Sequence, residues 1–183
     1  MEKEIYHIPA LLTESIDALN INAYGSYVDA TFGGGGHSRA ILQRLSSAGH
    51  LYGFDRDIDA LQNAPDDSRF TFVHSDYRFI PNFLHYYGCD KVDGILADLG
   101  VSFHHFDSGE RGFSFREEAP LDMRMNQKGE RTAARIIAEA SPEKLESIFR
   151  AYTDLKRPRL LANAIVKARS VSPILTTSQL TDT

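Results

Sequence analysis

"YVDATFGGGGHSRAIL", residues 27–42, decides the fold. An apolar run ending in an acid reads as a β-strand, and "SRAIL" opens a helical pattern. Between them stand four consecutive glycines, Gly33 to Gly36, followed by His37 and not by a lysine. A glycine turn between a first strand and its helix is a ligand site, because backbone N–H groups and the helix dipole favour an anion there. The missing P-loop lysine, with His37-Ser38 in its place, argues against a triphosphate. The dinucleotide pattern G-x-G-x-x-G fails at its third glycine, where Ser38 or Arg39 stands, but a small residue sometimes replaces that glycine and NAD stays open.

Outward from this unit, three more β-type runs follow: "HLYGFD" (50–55), "FTFVH" (70–74) and "VDGILAD" (92–98). Helical patterns occupy 8–19, with Pro9 suited to a first turn, then 38–48, 57–64 and 77–88. Alternating strands and helices predict an α/β, Rossmann-like parallel sheet, and right-handed crossovers from the first strand predict the order 3-2-1-4. After Asp98 a loop rich in Gly, Phe and charge leads to helical patterns at 132–140, 142–152 and 157–169, with no further β-type run. "GILA" is apolar enough for a strand buried on both faces, yet with four strands it would be an edge. The final "TTSQLTDT" reads as a helix begun and cut. The chain is therefore expected to be a fragment, with residues 1–103 forming an incomplete sheet core, 104–183 a mostly helical domain, and the remaining strands beyond Thr183.

The totals fit a globular protein: 183 residues, 42% hydrophobic, one cysteine, and no apolar run near the roughly 20 residues a membrane span needs. Cys89 alone excludes an internal disulfide framework and suits a reducing cytoplasm, and the N-terminus lacks a secretory pattern. The net charge of −5 is unevenly spread, with 19 acids against 10 Lys+Arg up to residue 127 and 6 against 10 beyond it. Solvated helix faces account for this; so does a cationic ligand in the first part and a polyanion against the last.

Asp55 ends the second strand, roughly 20 residues past the glycines, where an acid accepts from both ribose hydroxyls. The alternative is an N-cap for the helix near Asp57, and Asp57 itself can take that role. NAD and S-adenosylmethionine both carry such a ribose. Acids at Asp29, Asp55, Asp76 and Asp98, each at a strand's C-terminal end, suit a sulfonium better than a pyrophosphate. Tyr77 is placed either to stack on an adenine or simply to pack.

The runs "DLGVSFHHFD" (98–107), "ERGFSF" (110–115) and "PLDMRM" (120–125), with "HIPALLTE" (7–14) and "DATFGGGGHS" (29–38), closely resemble the bacterial family that methylates the N4 amine of a cytosine in small-subunit ribosomal RNA. The resemblance covers nearly the whole chain, in order. It implies an S-adenosylmethionine-dependent methyltransferase core with a helical domain inserted after the fourth strand. It further implies that Gly35, Gly36 and His37 bind the methionine end of the cofactor and Asp55 the ribose, with Tyr77 at the adenine, where the family usually has Phe. Asp98 would sit near the reacting end, as acceptor for the amine N–H or as a cofactor contact alone. His105 stands at a cofactor-contacting position often occupied by Gln, and Phe103 replaces a usual Ser. Family members also have C-terminal segments that this chain lacks.

The expected partner is small-subunit ribosomal RNA or the 30S subunit. An unstacked base suits Phe113 and Phe115 as stacking partners, and phosphates suit Arg111, Arg116 and Arg124. The phenylalanines equally suit the core of the helical domain. Lys156, Arg157 and Arg159 form a further phosphate patch, or else a solvated helix surface. Bare strand edges leave a homodimer open. His104-His105 with Asp107 do not make a metal set, since adjacent residues rarely ligate one ion together. A cofactor- or RNA-binding chain without turnover and an NAD-dependent oxidoreductase are the rival readings.

Overall fold

The computed structural model describes residues 9–100 and 111–183. The chain divides into two compact units, Met1–Val101 and Ser102–Thr183.

The first unit is a four-stranded, all-parallel sheet of β1 (Ser26–Asp29), β2 (His50–Asp55), β3 (Phe70–His74) and β4 (Gly94–Leu96), in the order β3-β2-β1-β4. This is the expected order, and three of the four strands occupy the expected runs to within one residue. Strand alternation sends successive side chains to opposite faces. Tyr27, Leu51 and Leu96 pack on Ile41 and Leu42 of α2 (Gly36–Arg44), on Leu45 just past its end and on Ile16 of α1 (Leu12–Ala18). Val28, Tyr52, Phe54 and Val73 pack on Ile80 and Leu84 of α3 (Ile80–Tyr86). Burial on both faces is why these strands read as continuous apolar runs.

β4 lies at one edge of the described sheet, where Leu96 is buried but Ile95 is 53% exposed. Arg69 closes the other end of α2: its guanidinium donates to the Leu42 and Leu45 carbonyls at 3.0 and 2.6 Å while gripping Asp67. That pairing holds the Asp67 carboxyl down to about 2.

Four helical patterns differ from the structure: α2 runs Gly36–Arg44 and not 38–48, the 77–88 pattern opens with a 3₁₀ turn over Tyr77–Phe79 before α3, and two more depart further. α1 begins at Leu12, not near Pro9, because Leu11 is left-handed (φ 50°) and bends the chain beforehand. The bend lays the Pro9 ring on the start of α2, where a Cβ on Gly36 would come within 2.3 Å of it. The 57–64 pattern becomes a 3₁₀ turn, Ile58–Asn63, capped by the Asp57 carboxylate accepting from the Asp59 N–H.

In the second unit, α4 (Ala133–Glu139), α5 (Pro142–Tyr152) and α6 (Pro158–Arg169) lie within the predicted spans, each ending within a residue of them. Thr132 and Ser141 cap the first two through their side chains, and proline opens the second and third at a position where its missing N–H costs nothing. Leu121, Ile137, Leu145, Ala162, Ile165 and Ile174 form its core. The short α7 (Thr177–Thr181) starts in a capping box of Thr176 and Gln179, and Thr176 pairs with Pro120 in an isolated antiparallel bridge.

Candidate functional site at the carboxyl ends of the strands

The last backbone bonds of the sheet fix where the glycine turn emerges. Ala30 N–H donates to Leu96 O on one side, and Phe32 N–H to Phe54 O on the other. Phe32 is buried against the rings of Phe70 and Phe72, which anchors the turn in the core. Gly33 and Gly35 are left-handed, with φ of 49° and 73°. A Cβ on Gly35 would meet the Phe32 ring and the Arg39 guanidinium at 2.9 Å, so packing as well as backbone conformation demands glycine there. At Gly36 the demand comes from Pro9. Gly35 and Gly36 are thus needed by their own neighbours, beyond any need of a ligand to approach the backbone.

Asp55 is not a free acid. One carboxylate oxygen accepts the Gly33 N–H at 2.7 Å and the other the Asp57 N–H at 2.8 Å. Asp57 takes the capping role and Asp55 joins the glycine turn to the end of β2. Each oxygen keeps a second lone-pair direction, so two hydroxyl donors can still be accepted. Tyr77 follows closely: Ser75 N–H donates to Asp55 O at 2.9 Å, and Tyr77, 47% exposed, opens the 3₁₀ turn two residues later.

Asp29 and His37 are both buried. The Asp29 carboxylate accepts the Ser38 hydroxyl at 2.7 Å and the Thr31 N–H at 3.1 Å. His37 stands in the first turn of α2 with Nε2 shielded from solvent and without a hydrogen-bond partner. A buried imidazole nitrogen left unpaired is costly, and a polar ligand at the helix N-terminus would satisfy it.

The four-acid rim is narrower than the sequence suggests. Asp76 caps its own turn and pairs with Arg56 and Arg78 at 3.4 and 3.2 Å, which neutralises it. Burial pushes the Asp29 carboxyl above its ordinary value, against the opposing Ser38 and Thr31 hydrogen bonds. Asp55 and the exposed Asp98 complete the rim, and the Asp98 N–H donates to Thr31 Oγ1 at 2.7 Å.

Because its native carboxyl binds a proton more tightly than the unfolded one, Asp29 makes stability fall as pH rises from near 3.8 through the higher native value. Asp29→Asn keeps both hydrogen bonds, with the amide donating to Ser38 Oγ, and removes that slope. Denaturant unfolding from about pH 4 to about pH 7 should show the variant gaining stability relative to the parent as the pH rises. Parallel profiles would contradict the burial argument.

In the second unit, two of the expected phosphate contacts prove to be internal. Arg111 lies over the Phe113 ring and donates to the Arg124 and Met125 carbonyls. Arg124 grips Asp122 and donates to the Gln127 and Gly129 carbonyls at 3.0 and 2.5 Å, holding Asp122 below the usual carboxylate range. These guanidiniums tie a loop that has no ladder of its own. Phe115 is 82% exposed, and Lys156 and Arg157 are exposed, whereas Arg159 faces Glu146 at 3.8 Å alongside Arg150. Phe103, His104, His105 and Asp107 lie outside the described residues. Among the described residues no helix is long and apolar enough to cross a membrane, and no group of three or more His, Cys, Asp or Glu is placed to hold a metal ion.

The sequence pattern did not single out Thr31 and Ser38 as partners of Asp29. Their signal was only a hydroxyl two residues after an acid and another in the first helical turn.

Residues 4–183 match a family model described as the MraW methylase family. Proteins named "Ribosomal RNA small subunit methyltransferase H" are similar to this chain. That of Phocaeicola vulgatus is 60% identical over 174 residues, covering 95% of this chain and 57% of its own length. That of Porphyromonas gingivalis is 57% identical over 169 residues (92% and 54%), and that of Bacteroides thetaiotaomicron 55% over 178 (96% and 59%). The chain spans a little over half the length of the curated relatives it matches.

Proposed function

We propose, given that this chain belongs to the MraW methylase family, that it takes part in transferring a methyl group from S-adenosylmethionine to the N4 amine of a cytosine in small-subunit ribosomal RNA. The observation that carries this reading is the bond from Gly33 N–H to Asp55, which makes the glycine turn and a ribose-type acid one rigid unit. The unpaired His37 Nε2 beside it fits a ligand with a polar, amino-acid end.

When bound, S-adenosylmethionine supplies a methyl group activated by a positive sulfur. The chain supplies position and electrostatics. Asp55 accepts from the ribose hydroxyls, Tyr77 covers the adenine, and the first turn of α2 with Gly35, Gly36 and His37 receives the methionine end. Asp98, at the reacting end, contacts the bound cofactor and accepts from the amine N–H, which localises a lone pair otherwise delocalised into the cytosine ring and stabilises charge growing on nitrogen. His105 is assigned a cofactor contact by the resemblance alone. Residues 104–183 serve as the inserted domain, and Phe115, Lys156 and Arg157, with Arg159 at the margin, meet the RNA. A cytoplasmic site of action and small subunits as partner go with this reading.

The experiment supplies labelled S-adenosylmethionine and small ribosomal subunits lacking the modification to the gene product that contains this chain. Label in N4-methylcytidine is expected; label in another nucleoside, or none, contradicts the reading. With Lys156→Ala/Arg157→Ala, the slope of log affinity against log salt should drop by about 0.7 for each phosphate of a single strand that is no longer neutralised. An unchanged slope removes these two residues from the interface.

A further inference from the structure

We propose that Thr31 is a positioning residue for Asp98, its side-chain hydroxyl setting where the acid stands at the end of β4. The inference rests on the reading that this rim holds S-adenosylmethionine.

β1 ends at Asp29, and the residues beyond it fork. Phe32 N–H turns toward β2 and bonds Phe54 O at 2.9 Å. Thr31 works toward β4: its Oγ1 accepts the Asp98 N–H at 2.7 Å, across 67 residues of sequence. The ladder between β1 and β4 has already finished with Ala30 N–H to Leu96 O at 2.8 Å. The Asp98 amide therefore lies past the last strand pairing, and a side chain takes the place of the missing rung. Thr31 is itself fixed, because its own N–H donates to the fully buried Asp29 carboxylate at 3.1 Å. The second oxygen of Asp29 takes the Ser38 hydroxyl of α2 at 2.7 Å.

One buried carboxylate thus references three things at once: the first turn of α2, the start of the glycine turn and, through Thr31, the backbone of Asp98. Threonine suits the task because β-branching restricts χ1 and so fixes the direction of the hydroxyl. Valine has the same shape and lacks the acceptor. Packing does little to hold Asp98 in place, since its side chain is exposed and the residues on either side, Ala97 and Leu99, are exposed as well.

The test is calorimetric titration of S-adenosylhomocysteine into the gene product containing this chain, comparing the parent with Thr31→Val, Thr31→Ser, Asp98→Ala and Thr31→Val/Asp98→Ala. Losing one hydrogen bond of ordinary strength should weaken binding about three- to tenfold in Thr31→Val, with Thr31→Ser returning to within about twofold of the parent. In the Asp98→Ala background the same Thr31→Val change should cost less than about twofold, because the group being positioned is gone. Equal penalties in both backgrounds would make Thr31 a stabiliser of the fold and overturn the proposal, as would Thr31→Val binding like the parent. Amide exchange gives a readout that does not depend on the ligand: Asp98 N–H should exchange faster in Thr31→Val than in Thr31→Ser. Equal protection in the two overturns the proposal even if Thr31→Val is too unstable for titration. A parent that gives no heat with S-adenosylhomocysteine defeats the cofactor reading and the inference together, whereas a binding parent with an indifferent Thr31 defeats the inference alone.

Discussion

Asp55→Ala is expected to lower the affinity for S-adenosylhomocysteine by at least about 100-fold, since two hydrogen bonds to a charged carboxylate are lost at about 1.5–3 kcal/mol each. The variant also frees the Gly33 and Asp57 N–H groups that the carboxylate now holds at 2.7 and 2.8 Å. Gly33 begins the glycine turn, so the loss reaches the methionine end as well as the ribose end. Asp55→Asn keeps one acceptor oxygen and should fall between the parent and the alanine variant. Calorimetry on all three separates the contributions. Asp55→Ala binding within about threefold of the parent would mean that Asp55 does not touch the ligand, since a charged hydrogen bond is worth more than that.

The second large effect concerns stability, and it tells apart two reasons for a glycine. Gly35→Ala places a residue at φ 73° and a Cβ 2.9 Å from the Phe32 ring. Phe32 is 2% exposed and wedged against Phe70 and Phe72, so it has little freedom to yield. The left-handed conformation costs about 1–2 kcal/mol and the clash adds to it, giving about 2–4 kcal/mol in all. Gly33→Ala is the control: φ is 49° and the nearest atom to the new Cβ, the Thr31 carbonyl oxygen, lies at 3.9 Å. That variant should show the backbone cost alone, about 1–2 kcal/mol. Denaturant midpoints measure both. Equal losses at the two positions would mean that the Phe32 ring exerts no constraint.

The strands were legible in the sequence because both faces of the sheet are covered: a run such as "HLYGFD" has no solvent face to dilute it with polar residues. The long helices of the second unit were legible from their helical spacing and from Ser141-Pro142, which marks a start through local backbone chemistry; Thr132 and Pro158 play the same part in the structure. What escaped is mostly non-local. Pro9 reads as a first-turn proline, yet its ring lies on Gly36, a packing that no periodicity reports, and the helix waits for Leu12. Asp57 was recognisable as a cap, but that Asp55 would accept from Gly33, 22 residues away, depends on how β1 and β2 are aligned. Arg111 and Arg124 resemble phosphate ligands as a type; only the fold shows their donors turned inward to carbonyls of an irregular loop. Asp76 looked like part of an acidic rim until Arg56, from the neighbouring strand's exit, came to stand beside it. Residue types told what chemistry the rim offers, and the pairing of strands decided which side chains are left to perform it.

If the turn from Gly33 to His37, together with Asp55, holds a nucleoside-bearing methyl donor, titration with S-adenosylhomocysteine followed by a challenge with NAD will show it. The gene product containing this chain should then give saturable heat at one site, abolished in Asp55→Ala and undisturbed by NAD. Heat with NAD that S-adenosylhomocysteine cannot compete away, or none with either S-adenosylhomocysteine or S-adenosylmethionine, would refute that assignment.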